Sequence, residues 1–176
     1  SGTHPGHYHH LLNRPDIRNA LNDELMRRVI GELERHRDDP AVRAVLFTGA
    51  GDSFCAGADL KWMRETLDLT YEETLENSDL LAELFYGIHG YPKPTIALVN
   101  GPAVGGGVGF VATCDVVITA AEAFYRLSEV RLGLIPSVIS PFVLAKIGEG
   151  RCRELMLTGR KVTADYDITL VNSLNP

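Results

Sequence analysis

Residues 94–115 read PTIALVNGPAVGGGVGFVATCD, and the rest of the chain is organised around this stretch. It opens on Thr95-Ile96-Ala97-Leu98-Val99, an apolar run short enough to be a buried strand. Asn100-Gly101-Pro102 breaks that strand, and Gly105-Gly106-Gly107 precedes a second apolar segment. Three adjacent glycines cost backbone entropy and offer no side chain to pack. A fold accepts this where backbone must come close to something, such as oxygen carrying negative charge at a helix N-terminus. A tight strand-to-helix turn with close packing explains the glycines equally well.

Working outward, the 176 residues suffice for one domain with a sizeable core, and 45% of them are apolar. A net charge of −6 argues against a general nucleic-acid or anionic-membrane surface. No apolar run reaches bilayer length, and no hydrophobic signal segment opens the chain. Cys55, Cys114 and Cys152 have neither disulfide-framework nor metal spacing. Reduced, packed cysteines of a cytosol-like compartment are expected, cytoplasmic or mitochondrial matrix.

Residues 1–10 carry four of the six histidines and are expected to be a flexible, tag-like arm or a frayed edge strand, with no native metal site at His7, His9 and His10. Asn22 is a good N-cap for a helix whose buried face is Leu21, Leu25, Val29 and Leu33. Residues 42–48 predict a buried strand, and 116–119 another. Residues 66–74 are polar and flap-like. Helices are expected over 72–86, 140–147 and 152–157, so short β-runs alternating with helices make this an α/β chain.

A second glycine-rich loop, GAGDSFCAGADL (49–60), also follows a strand and lacks a dinucleotide fingerprint. If the two loops converge, one N–H from each would form an oxyanion hole for charge developing on a carbonyl oxygen. Glu129 is the best acid/base candidate, since it sits among uncharged residues where partial burial raises a carboxyl pKa. An ion pair with Arg126 or Arg131 is its structural alternative. Asp59 reads as a helix cap and Asp115 as a turn residue, while Trp62 is either core or pocket wall. Ser53, Ser128 and Ser137 lack a histidine–acid partnership, which argues against a serine hydrolase.

The segments NRPDIRNALNDEL, GAGDSFCAGADL, PKPTIALVNGPAVGGGVGF, CDVVIT and LSEVRLGLIPSV together resemble the enoyl-CoA hydratase/isomerase (crotonase) superfamily over nearly all of residues 11–163. AGADLKWM and SEVRLGLIPSVISPFVLAKIG look most like its methylglutaconyl-CoA and isohexenylglutaconyl-CoA hydratase branch. The resemblance implies an α/β spiral of ββα units that binds an acyl-CoA thioester, with coenzyme A arriving as part of the substrate and no other cofactor. Ala58 and Gly106 match the positions whose N–H groups hold the thioester oxygen, and Glu129 matches the second catalytic glutamate. Cys55, Ala56, Ala58, Asp59, Leu60, Lys61, Trp62, Gly105, Gly106 and Pro136 are the expected substrate contacts, with Lys61 and Arg14 as candidates for the CoA phosphates.

Two departures stand out. Two-glutamate hydratases carry their first glutamate two residues after the glycine triplet, where this chain has Gly109. The sequence also stops near where a C-terminal helical region for homo-trimers or hexamers would begin. The expected activity is syn hydration of a 2-enoyl-CoA; a single-base Δ3,Δ2-enoyl-CoA isomerase and a non-catalytic acyl-CoA binder are the alternatives.

Overall fold

The computed structural model describes residues 2–4, 6–65 and 70–164. A five-stranded sheet runs in the order β1 (Gly2–His4), β2 (Gly6–Leu12), β3 (Val42–Gly49), β4 (Thr95–Val99) and β6 (Val116–Thr119). All its pairings are parallel except that of β1 with β2. A small second sheet joins β5 (Ala103–Val104), β7 (Phe124–Arg126) and β8 (Val162–Thr163).

The chain repeats one pattern. A strand of the large sheet is followed by a short extended piece outside it, and then by a helix. Thus β4 leads to β5 and α4 (Gly106–Thr113), and β6 leads to β7 and then α5 (Ser140–Ile147). Earlier turns replace the short strand with single bridges. After β2, Leu21 pairs with Ala58 before α1 (Asp23–His36); after β3, Cys55 pairs with Ala103 before α2 (Leu60–Glu65). The short pieces therefore converge beside one another at one end of the spiral.

Local sequence explains the elements. The Asn22 side chain accepts the Leu25 N–H at 3.1 Å, capping α1, and Leu25, Met26, Val29 and Leu33 are buried along its inner face. Asp115 accepts both the N–H and the hydroxyl of Thr95, at 2.8 and 2.9 Å, clamping the start of β4 to β6. Phe47 and Phe54 both meet Phe110 edge-on, so the core joins strand, loop and α4. The helix expected over 72–86 extends over Tyr71–His89 (α3), and that expected over 152–157 over Glu149–Thr158 (α6). Of the flap expected over 66–74, residues 66–69 lie outside the described residues, while 71–74 are instead the first turn of α3; the tail from 165 also lies outside.

Of the two N-terminal expectations, the strand and not the arm is found, in the interior of the sheet and not at its edge: residues 6–10 belong to β2, bonded to β1 on one side and β3 on the other. Alternation explains it: Tyr8, His10 and Leu12 are buried while the residues between them are only partly so. Histidine content obscured a strand whose inward positions are aromatic or aliphatic. Among the described residues, no helix is long and apolar enough to cross a membrane and no cluster of potential metal ligands occurs.

Candidate functional site

The two glycine-rich loops meet. A β-carbon built on Gly107 would lie 2.3 Å from the Cys55 carbonyl oxygen, closer than real side chains approach, so glycine is required there. The Val104 N–H donates to that same carbonyl at 2.9 Å. One on Gly106 would lie 3.8 Å from the Ala58 nitrogen. Gly106 opens α4, where an N–H has no intrahelical acceptor, and among the described residues neither its N–H nor that of Ala58 has a partner. Leu21 explains the Ala58 side: its N–H and C=O bond Gly57 and Asp59, which turns the intervening Ala58 amide the other way.

Glu129 reaches this point through the small sheet. Val104 pairs with Arg126, and the Gly105 N–H donates to the Arg126 carbonyl at 2.8 Å, which holds the start of the 128–134 segment beside the glycine turn. Glu129 is the first residue of a 3-10 helix ended by Gly133 in the left-handed region. Its Oε1 lies 3.2 Å from where a β-carbon on Gly105 would stand, and its Oε2 is buried without a partner. Burial pushes the Glu129 carboxyl above its ordinary value, partly offset by the Glu129 and Ser128 backbone N–H groups. Among the described residues no ion pair ties it to Arg126 or Arg131, so the structural alternative is not what is found.

A cleft of about 520 Å³ opens over these groups. Of the expected contacts, Ala56, Ala58, Asp59, Leu60, Gly105, Gly106 and Glu129 line it. Four do not. Cys55 is wholly buried, its thiol pushed up to about 12 by that burial. Trp62, partly buried, packs against the core and donates its indole N–H to Asp23 at 2.7 Å. Lys61 is exposed outside the lining, and Pro136 offers its carbonyl to the Ser140 N–H ahead of α5. The Arg14 guanidinium donates to the Ala20 carbonyl at 2.6 Å and to Asp59 at 3.0 Å, which braces the loop. Asp59 caps α2 through the Lys61 N–H. Burial works against its ionisation, but that N–H and Arg14 together hold its carboxyl below the ordinary value.

Sequence reasoning missed part of the wall. Leu132, Leu134 and Arg131 come from the turn after Glu129, and Ile17 and Ala20 from the turn after Pro15. The only available signal was apolar residues in segments otherwise built as turns. Asn19 secures the latter turn: fully buried, it donates to the carbonyls of Ala50 and Ser53 at 2.9 and 2.8 Å. A smaller apolar cavity of about 70 Å³ lies behind α4, walled by Val111, Val143 and Leu155, away from Glu129.

The enoyl-CoA hydratase/isomerase family profile matches residues 10–168. The chain belongs to this family. Its relatives include a provisionally named enoyl-CoA hydratase of Thermus thermophilus, 40% identical over 168 residues, covering 94% of this chain and 66% of that protein. An enoyl-CoA hydratase of Alternaria alternata is 39% identical over 152 residues, covering 86% and 49%. Among solved structures, an enoyl-CoA hydratase from Shewanella pealeana superposes with a TM-score of 0.89 at 37% identity, over 93% of this chain and 62% of that one. Pseudomonas aeruginosa AtuE gives 0.92 at 34%, over 97% and 66%. This chain thus spans one half to two thirds of the length of such family members, and its fold is the crotonase-like spiral of ββα units expected from the sequence.

Proposed function

We propose that the protein hydrates a 2-enoyl-CoA thioester. The Ala58 and Gly106 N–H groups would hold the thioester oxygen and stabilise the enolate as charge develops there. Glu129 takes a proton from water as the water oxygen bonds C3 and the C2=C3 electrons move towards the carbonyl. It then returns a proton to C2 on the same face, so that water adds syn and the carboxylate is regenerated. The observation that carries this reading is the buried, unpartnered Glu129 oxygen beside the glycine turn, within a cleft that also holds both amides. Burial raises the Glu129 pKa, which moves the carboxyl towards the range that suits both taking and returning a proton.

For the acyl group we favour a branched, carboxylated chain such as 3-methylglutaconyl. The motifs AGADLKWM and SEVRLGLIPSVISPFVLAKIG support this, as does Arg131, a cation in the cleft wall. Assembly into trimers or hexamers belongs to the same proposal and is supported by exposed Leu60, Leu132 and Leu134 along the cleft.

The test is product analysis in deuterated water with crotonyl-, 3-methylglutaconyl- and 3-enoyl-CoA. The expected product is a deuterated hydroxyacyl-CoA, reduced about 10²–10⁴-fold in rate by Glu129→Gln with thioester binding kept. The acid limb of kcat/KM should lie above the ordinary glutamate value of about 4.3. Double-bond migration without hydration would replace this reading with the isomerase, and binding without turnover with an acyl-CoA binder.

A further inference from the structure

Gly109 lies one turn into α4, its N–H directed at the Gly105 carbonyl at 3.3 Å. Its φ is not positive, so no backbone requirement calls for glycine, and glycine inside a helix costs about 1 kcal/mol relative to alanine. The neighbourhood supplies the reason. A β-carbon on Gly109 would fall 2.2 Å from Ile139 Cγ2, 2.7 Å from Ile139 Cβ and 3.3 Å from Phe85 Cζ.

Ile139 cannot easily give way. It is 3% exposed, its side chain is β-branched, and its carbonyl accepts the N–H groups of Phe142 and Val143 at the start of α5. Through its N–H bond to the Gly105 carbonyl, position 109 lies one turn from Gly105, beside which the Glu129 carboxylate lies. It is also where two-glutamate members of the family carry their other carboxylate.

We propose that Ile139 is a positioning residue for the hydration proposed above, on which this inference rests. Its side chain fills the space over Gly109 with hydrocarbon and excludes a second proton-transfer group from this face of α4. Acid–base chemistry is thereby left to Glu129 alone. Ile139 and Gly109 then form an exchangeable pair, since a longer side chain at 109 fits once the isoleucine is removed.

The test uses the full chain with Gly109→Glu, Ile139→Gly, the two combined, and Gly109→Gln with Ile139→Gly as a control of equal size. Gly109→Glu alone should lower the melting temperature, and adding Ile139→Gly should recover much of that loss. The combined variant should show a second ionisation in its kcat/KM profile for crotonyl-CoA. It should also exceed the Gln control by ~10²-fold or more. A profile identical to that control, or Gly109→Glu as stable as the parent, overturns the proposal.

If the combined variant does not fold, a stability cycle of Gly109→Ala and Ile139→Gly decides, since only glycine at 139 removes both atoms that a β-carbon at 109 would strike. Alanine at 109 should destabilise the parent more than the Ile139→Gly protein, and equal effects in both would overturn the proposal. A parent without hydration overturns the hydratase reading by itself. Turnover gained by the Glu-bearing combined variant over such a parent would still support exclusion by Ile139.

Discussion

Gly107→Ala probes the junction on which the candidate site depends. The added methyl would stand 2.3 Å from the Cys55 carbonyl oxygen, and an ordinary contact begins at 3.4 Å, so the two loops must separate by about 1 Å. The obstacle is backbone, and that carbonyl is already bonded to the Val104 N–H. The strain therefore passes into the bridge between Cys55 and Ala103 and cannot be relieved by a rotamer change. Overpacking of this kind costs about 1–3 kcal/mol, which for a chain of this size lowers Tm by about 2–12 °C. The kinetic effect should be larger. An error of about 1 Å in the spacing of Ala58 and Gly106 would misplace the proposed oxyanion donors and can cost ~10²-fold in kcat/KM. Thermal melts with crotonyl-CoA kinetics measure both. Gly31→Ala is the matched control: its methyl would meet nothing within 4 Å in α1, so it should gain about 1 kcal/mol without changing turnover. A Gly107→Ala protein with parental kcat/KM would refute the claim that this contact sets the site's geometry.

Two further outcomes concern pH. Asp59→Asn removes the charge facing Arg14 and should cost about 2 kcal/mol at neutral pH, read as a lower urea midpoint. Because the folded-state pKa of Asp59 is depressed, its contribution is present above the unfolded carboxyl value and lost as pH falls through the folded one. The variant should therefore lose less stability than the parent between pH 5 and 2, to about the extent of that shift. His10 is buried between Tyr8 and Phe47 with both ring nitrogens unpartnered, and burial, with Arg28, lowers its pKa to about 4. Its neutral form contributes stability above about pH 6.5 that is lost progressively down to about pH 4. His10→Leu should flatten urea midpoints across that window, and an unchanged slope would show that another group carries the acid sensitivity.

Much of the architecture is legible in the amino-acid order alone. The strands, the cap at Asn22 and the glycine turns each have local signatures, because backbone conformation and hydrophobic periodicity act over a few residues. Burial is another matter: 116–119, expected to be a buried strand, forms the sheet's edge strand β6 with Val116 and Ile118 exposed, since its apolar run does not tell which neighbours cover it. Glu129 was legible for a related reason, being an acid in an uncharged segment ahead of a glycine turn. Which residues share the cleft, by contrast, is settled by contacts made on folding. Arg14 was available in principle for phosphate but is engaged by Asp59 and Ala20, and Trp62, packed against the core, is tied to Asp23. Leu132, Leu134 and Ile17 enter the wall from turns remote in sequence. The 6–10 segment shows the same limit, since its histidines suggested an arm until the sheet provided partners on both sides. Gly109 shows it most directly. From the sequence it is a missing carboxylate, whereas in the fold its space is taken by Ile139, thirty residues away, because close packing is a property of surfaces that meet only after folding.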